Sequence, residues 1–229
     1  MFPIQCISCN KPGIWLCDDC LNKIILKETQ FCPYCEKKIT PSGYVCFECK
    51  KKYSLDGMLV AVSYQNKLVS HLIHLYKYRF ISGLHEPLGE LLLRSILKYE
   101  FPLPDAIIPV PLHKRRLRYR GFNQSELLAD YLGKNITPGF SIPILKEVLT
   151  RKKYTHPQMK IKDSGARKKN IAEAFAVPRN MLKYIKSKRI LLVDDISTTG
   201  ATIFECAKTL KKSGASEVFA IVIARQGYK

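Results

Sequence analysis

The chain has 229 residues, 46% of them hydrophobic and 25% charged, enough to bury the core of one medium domain plus a small appendage and too apolar for a disordered chain. No apolar run approaches the ~20 residues a membrane helix needs, and Met-Phe-Pro-Ile-Gln-Cys has neither a basic start nor an apolar signal core, so the expectation is a cytoplasmic protein without membrane insertion. Lys and Arg number 38 against 19 Asp and Glu, a net charge of +19, and the clustering of these cations favours a polyanion: pyrophosphate, nucleic acid, or both.

Residues 1–52 read as a cysteine-rich head. Of the chain's 9 cysteines, all but Cys206 fall into Cys-x-x-Cys pairs: Cys6/Cys9, Cys17/Cys20, Cys32/Cys35 and Cys46/Cys49. Each pair presents two thiolates from one tight knuckle, and two knuckles complete a tetrahedral Zn²⁺ site, so all eight are candidate ligands. Redox-active pairs and an iron–sulfur centre are the competing readings. Sequential pairing needs only short loops; a nested arrangement or a cross-brace stays open. Pro33, Asp18, Asp19, Glu36 and Glu48 leave little apolar surface for an independent core, so the head is expected to need metal to fold.

Residues 53–229 read as the second unit. Alternation over 57–64 predicts a strand, and Leu68, Leu72, Leu75 and Tyr76 give helical spacing over 66–79. A second helix over 86–99 carries Leu88, Leu91, Leu92 and Ile96 and is closed by Pro102 and Pro104. Residues 105–112 form a buried strand ending in prolines. A basic run follows, Lys114, Arg115, Arg116, Arg118 and Arg120, expected as a cation-rich loop with Tyr119 and Phe122 interleaved for base stacking. Asn123 and Glu126 then fit a capping box that opens a helix carrying Leu127, Leu128, Tyr131 and Leu132. Residues 149–175 have many cations and no sustained period, the signature of a long loop able to act as a lid, with Gly165 as hinge.

Residues 190–202, Ile-Leu-Leu-Val-Asp-Asp-Ile-Ser-Thr-Thr-Gly-Ala-Thr, are the most informative string. An apolar strand ends in two carboxylates, and a hydroxyl-rich turn closes on glycine before a helix over 202–213 with Ile203, Phe204, Ala207 and Leu210 on one face; Cys206 reads as a small core residue. Backbone N–H groups of 197–202, the hydroxyls of Ser197, Thr198, Thr199 and Thr202, and the helix dipole suit a phosphate, while Asp194 and Asp195 suit ribose hydroxyls. A final buried strand over 217–224 completes an α/β alternation that predicts a mostly parallel sheet with helices on both faces. Two phosphate-facing loops at strand ends suit a ligand with both a 5′-phosphate and a pyrophosphate.

The 190–202 string closely resembles the phosphoribosyl pyrophosphate (PRPP) loop of type I phosphoribosyltransferases. The resemblance implies that fold, with Asp194 and Asp195 on the ribose 2′- and 3′-hydroxyls and Ser197, Thr198, Thr199, Gly200, Ala201 and Thr202 around the 5′-phosphate. Pro109-Val-Pro-Leu, Arg120-Gly-Phe-Asn-Gln, Arg151, Gln158, Arg167, Asn170, Phe175 and Ala224-Arg225, behind a cysteine-pair head, resemble the ComF (ComFC) competence family over essentially the whole chain. That resemblance implies a part in natural transformation, with single-stranded DNA and a DNA-translocating competence helicase as partners. It places Arg120, Gly121, Asn123 and Gln124 on the pyrophosphate side. Arg151, Gln158 and Arg167 fall in the lid, where Arg151 and Arg167 would take the catalytic role of stabilising departing pyrophosphate. Mg²⁺ would arrive on the pyrophosphate oxygens. Four pairs stand in the head where some members keep two. An active phosphoribosyltransferase acting on a base or amine, and a zinc-dependent interaction protein that senses PRPP, are the alternatives.

Overall fold

The computed structural model describes residues 3–153 and 171–227. Two short helices lie in the head, α1 (Asp18–Asn22) and α2 (Phe47–Lys50), each starting directly after a paired cysteine. The body continues with β1 (Gly57–Ser63), α3 (Lys67–Tyr78), α4 (His85–Lys98), β2 (Ala106–Pro109), α5 (Lys114–Arg120) and α6 (Gln124–Asn135). It closes with β3 (Thr150–Arg151), β4 (Phe175–Ala176), β5 (Arg189–Ser197), α7 (Ala201–Lys212) and β6 (Glu217–Arg225).

Among the described residues, four strands form one parallel sheet in the order β1-β6-β5-β2. Its strands are buried on both faces, which explains their near-continuous apolar sequences. Side chains alternate between two clusters. Leu59, Ile107, Leu191, Val193, Phe219 and Ile221 meet α3, α4 and α6 on one face. Val60, Ile108, Leu192, Ala220 and Val222 meet Ile203, Ala207 and Leu210 of α7 on the other. Cys206 is fully buried in this second cluster, in keeping with its reading as a small core residue. The expected parallel sheet with helices on both faces is therefore the architecture found.

The head is built into this body. Cys6, Leu16, Cys17, Cys20, Leu21 and Ile24 lie in the same buried cluster as the leucines of α3, α4 and α6. Head residues also cover the free edge of β1. Lys27 N–H donates to Ala61 O at 2.8 Å, and the buried Gln30 side chain exchanges both amide bonds with Val60 at 3.0 and 3.2 Å. Residues 143–145 cover the opposite edge, with Ile107 N–H donating to Pro143 O at 2.9 Å and Leu145 N–H to Ile107 O at 2.8 Å.

Two local expectations change. The basic run is the helix α5 and not a loop: His113 caps it by accepting from Arg115 N–H at 3.2 Å, and Gly121 stops it at φ 80°. Lys and Arg are good helix formers, so the caps decide where an apolar period is missing. The ends of the 149–175 segment are fixed rather than loose, because β3 and β4 pair antiparallel and Leu149, Ile171, Ala174 and Phe175 are buried. Gly165 lies outside the described residues. No helix among the described residues is long and apolar enough to cross a membrane.

Candidate functional site

β2 and β5 run side by side, but the chain leaves them toward opposite faces, β2 into α5 and α6 and β5 into α7. Their carboxyl ends therefore part and leave a crevice, the usual ligand position in an open parallel sheet. A cavity of about 510 Å³ opens there.

Asp194 and Asp195 stand on its floor, held differently. Asp195 is buried and accepts from Lys77 Nζ at 2.9 Å and from Ile196 N–H at 2.7 Å. Asp194 accepts from Ser125 Oγ at 3.0 Å and from Asp195 N–H at 2.9 Å. Burial, with the neighbouring Asp195 charge, pushes the Asp194 carboxyl up to about 7, against the opposing pull of Lys77 and Ser125.

The turn beyond them is shaped for an anion. Gly200 adopts φ 79°, a left-handed conformation that lets the chain enter α7. No side chain caps this helix, and the turn sits at the positive end of its twelve-residue dipole. Ser197 Oγ and Thr199 Oγ1 are buried without a hydrogen-bond partner. Ser197, Thr198, Gly200, Ala201 and Thr202 line the cavity; Thr199 does not.

Cations face the acidic pair from α5 and β3: Arg115, Arg116, Arg120 and Arg151 all line the cavity. Burial, and then the charge of Arg116, lowers the Arg151 guanidinium to about 10. Arg120 donates to Gln124 Oε1 at 3.0 Å. Asn123 is the cap of α6, accepting from Ser125 N–H and donating to Val110 O and Glu126 Oε1, each at 3.2 Å. Asn123 and Gln124 line the cavity, while Gly121 stands back as the stop of α5. Arg167 and Gln158 lie outside the described residues.

Two contributors were not singled out from sequence. Lys77 comes from the end of α3, 118 residues before its partner Asp195, and no local pattern marks it. Ser125 directly follows the Asn-Gln pair in the capping box, a signal that was available. Tyr78, Phe80 and Tyr119 add an aromatic wall, with Phe80 and Tyr119 in edge-to-face contact at 5.8 Å between centroids.

The cysteines gather into two tetrads in sequential order, Cys6–Cys9–Cys17–Cys20 and Cys32–Cys35–Cys46–Cys49, with the sulfurs of each within 4.8 Å of one another. A tetrahedral ion with ~2.3 Å bonds to sulfur sets its ligands about 3.8 Å apart. Cys6–Cys17, Cys9–Cys17 and Cys35–Cys46 stand 3.8, 3.6 and 3.9 Å apart, which fits such an ion and rules out disulfides across those contacts. Burial raises the Cys6 thiol, but N–H groups of Cys17, Cys9 and Ser8 outweigh it and bring it down to about 6. At Cys35 the N–H groups of Lys37 and Lys38 likewise outweigh burial and bring it to about 7. Both tetrads can hold a metal ion.

Comparison with known proteins agrees with this geometry. A family model described as "Phosphoribosyl transferase domain" matches residues 121–229, which include the acidic pair and the turn. The chain is 32% identical to competence protein F of Haemophilus influenzae, over 98% of each chain. It is 32% identical to DNA utilization protein YhgH of Escherichia coli K12, over 94% of each. Against competence protein ComFC of Streptococcus pneumoniae the identity is 28%, over 92% of this chain and 87% of that one.

Proposed function

The chain belongs to the competence protein F family, with a phosphoribosyl transferase domain, and on that premise we propose that it binds PRPP in the crevice and single-stranded DNA along α5. The observation that carries the reading is the acidic pair set beside an uncapped helix N-terminus in a cavity whose opposite wall is cationic. In this reading the ribose hydroxyls donate to Asp194 and Asp195, and Lys77 holds the second carboxylate in place through its 2.9 Å bond. The 5′-phosphate takes the N–H groups of the 197–202 turn and the hydroxyls of Ser197 and Thr202. Pyrophosphate, carrying Mg²⁺ on its oxygens, lies toward Arg120 and Gln124, with Arg151 closing from the side. Zn²⁺ fills both tetrads.

DNA enters the reading through charge and aromatic exposure. Lys114, Arg115, Arg116 and Arg118 crowd one short helix, and Tyr119 stands 80% exposed beside them, as a platform for an unpaired base. Titration of a labelled oligothymidylate tests this. Affinity should fall linearly on logarithmic axes with added salt, and each α5 cation replaced by Ala should reduce the slope by about 0.7. Absence of binding at low salt removes the DNA half of the reading.

The aromatic wall of Tyr78, Phe80 and Tyr119 supports a second reading, a phosphoribosyltransferase that stacks an acceptor base there. Its signature is acceptor-dependent release of pyrophosphate that disappears in Asp194→Ala.

A further inference from the structure

Arg225 ends β6 and is only 2% exposed, and its own side chain does not line the cavity. Its guanidinium instead joins two distant pieces of chain. Nε donates to Thr198 O at 3.1 Å and Nη2 to Thr199 O at 3.2 Å, both in the turn after β5. Nη1 donates to Pro33 O at 2.9 Å, inside the Cys32-Pro-Tyr-Cys35 knuckle, and Nη2 also pairs with Glu36 just beyond it.

A second tie runs parallel to the first. Tyr34, in the same knuckle, stacks on Phe204 with centroids 4.2 Å apart and on Tyr53 at 3.9 Å. Phe204 rises from the first turn of α7 and lies under Gly200: a Cβ there would come within 2.5 Å of its ring. The turn is thus held at Thr198 and Thr199 through Arg225 and at Gly200 through Phe204, and both supports rest on one cysteine knuckle. A planar guanidinium satisfies these four acceptors only while they keep their relative positions. The position of the knuckle depends in turn on the ion its cysteines hold.

We propose that the tetrad of Cys32, Cys35, Cys46 and Cys49 is coupled through Arg225 and Tyr34 to the phosphate-binding turn, so that metal occupancy there sets the affinity of the turn for its ligand. Arg225 is a positioning residue: it fixes carbonyl groups whose neighbouring N–H groups face the phosphate. Coupling is reciprocal, so ligand in the turn also holds the metal more tightly. The inference rests on the PRPP reading of the crevice.

The test uses the full chain with both tetrads loaded, PRPP with Mg²⁺ as ligand, and a chromophoric zinc chelator. Saturating PRPP should slow metal release from one tetrad by about tenfold and leave the other unchanged. Arg225→Lys, which keeps the charge but not the fork, should weaken PRPP binding by about tenfold and abolish that slowing, with the metal content unchanged. Tyr34→Leu, which removes the ring stack and the bond its hydroxyl accepts from Leu55 N–H at 3.1 Å while leaving Arg225 in place, gives the same result should Arg225→Lys fold poorly. Lys38→Ala, which removes the exposed Lys38–Glu48 pair beside the same tetrad, should behave as wild type. Wild-type affinity in both Arg225→Lys and Tyr34→Leu, with release indifferent to PRPP, overturns the coupling alone. A wild-type protein that binds no PRPP overturns the reading of the crevice and the coupling with it.

Discussion

Two adjacent aspartates share one crevice, yet their surroundings differ. Asp195 has an ammonium group at 2.9 Å, whereas Asp194 has a hydroxyl at 3.0 Å and, among the described residues, no cation that close. The folded protein raises the Asp194 carboxyl from 3.8 to about 7, so between those values the folded state binds more protons than the unfolded chain. Its contribution to stability therefore falls as pH rises across that window. Ligand binding runs the other way, because the carboxylate is the better acceptor for a ribose hydroxyl. PRPP affinity should rise as pH climbs through about 7 and level off above it. Asp194→Asn should bind more weakly at pH 8 and lose this component of the profile, leaving only the titration of the phosphates. A wild-type profile that matches Asp194→Asn throughout contradicts the assigned role.

At the level of elements, the turn between β5 and α7 carries the site, and Gly200 is where it is most constrained. An added methyl meets the Phe204 ring and sits at a positive φ, so Gly200→Ala should cost about 1–3 kcal/mol in denaturant unfolding. It should also weaken PRPP binding; an unchanged affinity means the turn does not hold phosphate. This stretch was legible in the sequence because its information is local: strand, carboxylates, hydroxyls, glycine and helix follow one another within thirteen residues. α5 was less legible. Leu117 and Tyr119 do not make an apolar stripe, and its existence depends on caps at His113 and Gly121 that a reading of charge overlooks. β3 and β4 were hidden for a different reason: they pair across a long intervening segment, and two-residue strands leave no period. Lys77 is the extreme case, since only the tertiary fold brings α3 to β5.

For the molecule as a whole, the head and the body share one core. The knuckles pack against α3 and α4, head residues cover the edge of β1, and the second tetrad reaches the turn after β5, so a metal held by the tetrads would support the body as well as the head. Chelation should lower the melting temperature of the entire chain by at least about 10 °C, in one transition. A body that melts unchanged after the metal is removed would mean the shared cluster contributes little. Part of the net charge of +19 is concentrated where α5 meets the acidic pair, so the crevice joins the proposed sugar site to a basic surface. The most direct measurement is calorimetric titration of metal-replete protein with PRPP and Mg²⁺, repeated on Asp194→Asn and Asp195→Asn. One molecule bound per chain, with affinity reduced by about tenfold or more in each variant, is the expected result. No heat of binding in the wild type, or equal affinity in all three proteins, contradicts it.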